Sequence, residues 1–189
     1  MPMNEQLWQE LEQEARTTRR LLERIPEGRM NWRPHPKSRT LGELATHVAV
    51  VPAAVAGLAA LPSPAQMPNF ADPPPPARAA EFVTMLDDTL ARTKRTLDGL
   101  DDAALTANWR LMHGDRELLA LPRIAFLRSV MLNHWYHHRG QLTVYLRELD
   151  VPIPSIYGPS ADDKSSLGRR RRCAGLSPAA PSGRRCGRS

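Results

Sequence analysis

In the run Asn133-His134-Trp135-Tyr136-His137-His138-Arg139-Gly140-Gln141, three histidines fall within five residues. On a helix, residues four apart leave the same face about one turn apart, so His134 and His138 can share one metal ion. His47, in another apolar helical stretch, supplies a third imidazole if the two helices face each other. Three neutral imidazoles leave coordination positions for water or substrate, as in a working rather than a closed structural site. Such ligands suit Zn²⁺, Ni²⁺, Cu²⁺ or Fe²⁺. A Zn²⁺ so held brings the pKa of its water to about 7, and it can equally bind and activate a thiolate.

Blander readings compete with this one. A His-x-x-x-His pair is often structural, and a lone histidine on an apolar face is more often a hydrogen-bonded core residue. Here His134 and His138 fall on an apolar stripe, where an unpaired polar ring is costly. His137 is three residues from His134 and replaces His138 as the ligand if the helix is rotated. Otherwise it supports the ligands from behind, acts as a general base or faces solvent. Arg139 either clamps an anionic substrate or pairs with an acid on a neighbouring helix. Gln141 can donate to a substrate or orient a ligand, whereas Trp135 and Tyr136 read as packing residues. His35 and His113 lie in loop-like stretches and read as solvated.

The elements that must position these residues are helical. Leu7, Trp8, Leu11, Ala15, Leu22 and Ile25 predict a first helix over residues 4–25, ended by Pro26 and Gly28. Thr40-Leu41-Gly42-Glu43 is a capping box that opens a second helix carrying His47, with a kink expected at Pro52. Seven prolines between residues 61 and 76 demand an extended crossover. A third helix follows over about residues 77–97, with Phe82, Met85, Leu86, Thr89 and Thr93 facing inward. Residues 100–122 suggest a helical turn and then a small hairpin about His113-Gly114-Asp115. The last helix runs over about residues 122–149, with Ile124, Leu127, Met131, His134, His138, Gln141, Tyr145 and Leu149 as its inward stripe. Gly140 within it costs about 1 kcal/mol relative to Ala and suggests close approach of a backbone or ligand. The fold class is therefore all-α: a four-helix bundle with long crossover connections.

Composition supports one domain over residues 1–162 and a basic low-complexity tail over residues 163–189, expected to be disordered. The net charge of +6 belongs to that tail: eight of the 26 Lys+Arg lie from Lys164 onward, leaving 18 against 20 Asp+Glu before it. Nucleic acid is thus not the expected partner of the body and is expected only non-specifically through the tail. Both cysteines, Cys173 and Cys186, also lie in the tail, which excludes a disulfide framework and a cysteine nucleophile in the body. The N-terminus is polar, unlike a signal peptide, and the richest apolar stretch, residues 44–61, is broken by Pro52. No membrane span and a cytoplasmic location are expected.

Arg33-Pro34-His35-Pro36-Lys37-Ser38, Leu41-Gly42-Glu43-Leu44-Ala45-Thr46-His47 and the run from Asn133 to Leu142 resemble the DinB (damage-inducible) family of small bacterial proteins. Leu146-Arg147-Glu148-Leu149 and Val151-Pro152-Ile153-Pro154-Ser155-Ile156-Tyr157-Gly158-Pro159-Ser160 are similar to its C-terminal end. The resemblance spans about residues 4–162. It implies a four-helix bundle with a divalent metal at one end, held by His47, His134 and His138. It further implies metal-dependent transfer of a low-molecular-weight thiol, or hydrolysis, on a small electrophilic substrate, and commonly a homodimer. The alternative from a different class is a non-catalytic metal-binding stress-response protein. The Arg-rich extension departs from the family pattern and points to a reading-frame shift or to a nucleic-acid-binding arm.

Overall fold

The threonine that opens the second helix does so through both halves of a capping box. The Glu43 amide donates to Thr40 Oγ1 at 3.1 Å, and the Glu43 carboxylate accepts from the Thr40 amide at 2.6 Å. In the computed structural model, which describes residues 1–163, this helix is α2, Leu41–Ala59. Three further long helices surround the same core: α1 (Met3–Leu22), α3 (Glu81–Asp98) and α6 (His134–Glu148). They pack in a ring in which α2 touches α3 and α6, and α1 touches the same two from the other side. Leu7 and Leu11 of α1, Leu44 and Val48 of α2, Phe82 and Leu86 of α3, and Leu142 and Leu146 of α6 fill the centre. By length and composition α2 could cross a bilayer, Pro52 notwithstanding, but most of it is buried inside the bundle.

The fold is mostly helical but not all-α. A short helix α4 (Asp102–Thr106) leads into an antiparallel hairpin, β2 (Asn108–His113) and β3 (Arg116–Pro122), turning at Gly114 with φ of +58°. Trp109 and Leu111 alternate inward from β2. The proline-rich crossover contributes a third strand, β1 (Ala65–Gln66), parallel to β2, and the Met67 amide donates to the Met112 carbonyl at 2.7 Å. This pairing anchors the crossover before it returns over the start of α2. There the backbones approach closely at Gly42, where a Cβ would stand 3.2 Å from both the Met30 carbonyl oxygen and Pro75 Cβ.

The last helix is continuous from α5 (Arg123–Phe126) into α6, but its middle, Leu127–Asn133, is wound as a π-helix. The wider turn delays the buried stripe by one residue. It runs Leu127, Met131, Trp135, Arg139, Leu142, Leu146. His134, His138, Tyr145 and Leu149, expected on that stripe, instead form its partly exposed edge, and Gln141, expected there too, is exposed. Gly140 also departs from expectation: it is exposed, and a Cβ there would meet nothing within 4 Å. The expected tail disorder concerns residues 164–189, which lie outside the described residues.

Pro52 sits inside α2, and the helix runs unbroken across it. Lacking an N–H, Pro52 leaves the Val48 carbonyl without its helical partner. The fully buried indole of Trp135 donates to that carbonyl at 2.7 Å, tying α6 to α2 beside His134 and His47. Trp135→Phe should therefore destabilise the protein by about 1–3 kcal/mol, the cost of a buried carbonyl left unpaired. Adding Pro52→Ala, which restores an amide for Val48, should recover part of that loss. Denaturant titration of the two single variants and the double variant measures it, and strict additivity would contradict the account.

Candidate metal centre

His47 leaves α2 one turn before Pro52, and its side chain is 12% exposed. Its Nδ1 lies 2.8 Å and 3.0 Å from the two carboxylate oxygens of Asp72, on the returning crossover. A carboxylate can only accept, so Nδ1 carries the proton and the Nε2 lone pair points inward. His134 presents its Nε2 3.1 Å from that atom. His138 stands one turn along α6, its ring centroid 4.4 Å from both the His47 and His134 rings. The Gln141 amide oxygen lies 2.7 Å from His138 Nδ1 and accepts its proton, which directs the other nitrogen toward the cluster.

One ring nitrogen from each of His47, His134 and His138 lies within 4.8 Å of the others. Two nitrogens bound to one tetrahedral Zn²⁺ at 2.0–2.1 Å would stand roughly 3.3 Å apart, close to the His47–His134 spacing. The donor set fits a divalent ion: three neutral imidazoles, two with outer nitrogens held by acceptors. Among the described residues no fourth histidine, cysteine or carboxylate joins this cluster.

Electrostatics keep these rings neutral. Burial lowers the pKa of His47 more than the Asp72 carboxylate raises it. Burial first, then the neighbouring His47 and His137, lower that of His134. Burial pushes His138 down to about 4, against a smaller opposing effect of Gln141. Burial would raise the Asp72 carboxyl, but Arg39 and His47 together hold it below the usual carboxylate range.

The remaining candidates are distributed unequally. His137 is exposed, with its ring 4.9 Å from that of His138, and is not part of the three-nitrogen cluster. Gln141 stands behind His138 as an orienting group. Arg139 is 1% exposed and engaged with α1 and the C-terminal segment: it donates to the Glu14 carbonyl at 3.0 Å and to Thr18 Oγ1 at 3.3 Å, and it pairs with the Glu14 carboxylate and the Tyr157 hydroxyl. It braces the bundle and is not free to clamp a substrate. His35 accepts from the Lys37 amide in an exposed loop, and His113 ends β2 in solvent. Asp72 and Arg39 were not legible as site residues. Asp72 is a lone acid in a proline-rich run, and only the folded crossover brings it to His47.

Two outcomes follow. Asp72→Asn keeps the shape but can present an amide N–H to His47, so affinity for Zn²⁺ should fall by about 10–100-fold in a chelator-competition titration; unchanged affinity would contradict the orienting role. The second concerns acid. His138 titrates near 4 when folded but near 6.5 when unfolded, so between these values the unfolded chain binds more protons. Stability of the metal-free protein is therefore full above about pH 6.5 and declines as pH falls toward 4. His138→Ala should flatten this decline in urea midpoints, and a slope unchanged by the substitution would refute the assignment.

With this geometry in place, comparisons identify its setting. Residues 10–142 match the DinB superfamily and residues 121–171 match the DinB family. The uncharacterized protein YrdA of Bacillus subtilis (strain 168) is 38% identical over 42 residues, which are 22% of this chain and 25% of YrdA. The match thus spans only a quarter of that curated relative's length. Among solved structures, a DinB-like protein from Bacillus cereus ATCC 10987 is similar with a TM-score of 0.63 at 24% identity, covering 82% of this chain and 98% of that one. A DinB-like protein from Bacillus subtilis has a TM-score of 0.57 at 20% identity, covering 77% and 92%. These structural likenesses concern the fold. On the extent of the sequence match, the chain belongs to the DinB superfamily.

Proposed function

We propose that this chain holds one divalent metal ion through His47, His134 and His138 and transfers a low-molecular-weight thiol to a small electrophilic substrate. The observation that carries the reading is the convergence of three neutral imidazoles, two of them oriented by Asp72 and Gln141. A divalent ion in that position supplies a Lewis acid that stabilises a thiolate at neutral pH.

The surroundings of the cluster favour thiol transfer over hydrolysis. Asp72 and Glu43 are the carboxylates beside it, and both are engaged: Asp72 by His47 and Arg39, Glu43 by the amide of Thr40. Neither is left to deprotonate a water. A thiol, ordinarily of pKa about 8.5 against 15.7 for water, needs less help. Arg33, Lys37 and Arg39 line a cavity of about 720 Å³ that shares His47 and Asp72 with the cluster. These cations suit the carboxylate groups of a small thiol.

The purified full chain should retain about one Zn²⁺ or Ni²⁺ and, when loaded, conjugate small anionic thiols to a chromogenic aryl halide. His138→Ala should lower kcat/KM by more than about 100-fold with the fold intact by circular dichroism. Metal retention without turnover across thiol and hydrolysis panels would favour the non-catalytic metal-binding alternative. Failure to retain any metal would end both readings.

A further inference from the structure

The cationic cavity adjoins an apolar one, and His47, Phe70 and Asp72 line both. The apolar cavity has a volume of about 390 Å³, within the range of small-molecule sites. Two helical stripes form its walls, and each begins at a histidine of the cluster. On α2, Val51, Val55 and Leu58 follow His47 at steps of four, four and three, so they continue its face for about 16 Å along the axis. On the facing helix, Val130 and Phe126 precede His134 at steps of four, through the π-helical segment. Leu111 and Leu119 of the hairpin close the slot, and Phe70 of the crossover stands at its lip with half its surface exposed. Polar groups reach this slot only at one end, where His47, His134 and Asp72 line it.

A slot that is polar at one end and apolar along its length sorts ligands by shape. Its occupant needs a compact polar head at the imidazoles and a hydrocarbon body extending between α2 and the π-helical segment.

We infer that the substrate is amphiphilic: its reacting polar head sits at the His47–His134–His138 cluster and its alkyl or aryl body fills the slot between Val51 and Leu58. This rests on the metal-site reading above and adds the chemical class of the electrophile. The anionic thiol then approaches through the Arg33–Lys37 cavity, so the two reactants meet at His47, which lines both cavities.

Straight-chain hydroxamates, from acetohydroxamate to octanohydroxamate, test this without requiring turnover, because the head binds metal and the chain alone varies. Calorimetry on the full chain, metal-free and loaded with Zn²⁺, should show acetohydroxamate binding only to the loaded form. Each added methylene should then tighten binding by about two- to fourfold until the slot is filled. Ala54→Phe, which fills the slot from a partly exposed position, should abolish this increment while leaving acetohydroxamate affinity and Zn²⁺ content unchanged. Phe70→Ser at the exposed lip should reduce the increment for the longest chains and provides a second variant if Ala54→Phe does not fold. Metal-dependent head binding with no chain-length gain would overturn this inference and leave the metal site standing. A gain undiminished in both variants would place the chain elsewhere and overturn it too. No acetohydroxamate binding with or without Zn²⁺ would overturn both readings.

Discussion

One carbonyl holds the site together. Pro52 removes the amide that would occupy the Val48 oxygen, and the Trp135 indole occupies it instead. Val48 follows His47 and Trp135 follows His134, so a single buried hydrogen bond ties together the two helices that carry these histidines. A helix-breaking residue in an apolar helix thereby becomes the reason that two imidazoles from distant parts of the chain stand 3.1 Å apart. The π-helical turn completes the arrangement. By rotating the last helix it gives the central buried position to Trp135 and moves His134 and His138 to the edge, where they remain reachable.

Around this tie the molecule separates structural from chemical polarity. Arg139, adjacent to His138 in sequence, is turned into the bundle and held by Glu14, Thr18 and Tyr157, with its guanidinium 5.1 Å from the ring centroids of both Tyr136 and Tyr157. Its charge is compensated there and does not reach the imidazoles by contact. Asp72 is the acid that does reach them, and Arg39 keeps it ionised. His47 therefore meets a fixed anion at its Nδ1, and it lines both the cationic cavity and the apolar one.

Much of this was readable from the residues. The spacing of His134 and His138, the Thr40–Glu43 capping box and the turn at Gly114 are local signals, and each is visible as such in the fold. The inward face of the last helix was not readable, because an extrapolated period of 3.6 carries no sign of a π-helical turn. Gly140 was over-read: glycine in a helix can mark close approach, but here its surroundings are open. The close approach falls instead at Gly42, where the crossover lies over the start of α2. The strand β1 and the role of Asp72 depend on where a proline-rich segment returns, a long-range outcome with no local periodicity. All-α therefore fell short by a three-stranded sheet whose strands are short, one having only two residues.

In the proposed site one cation is shared by three imidazoles from two helices. Anomalous diffraction at the metal edge from crystals of the loaded full chain tests it most directly. A single strong peak is expected about 2.1 Å from one ring nitrogen each of His47, His134 and His138, with Asp72 still on the Nδ1 of His47. A peak on His137 in place of His138, or a loaded crystal with no peak among these rings, would contradict it.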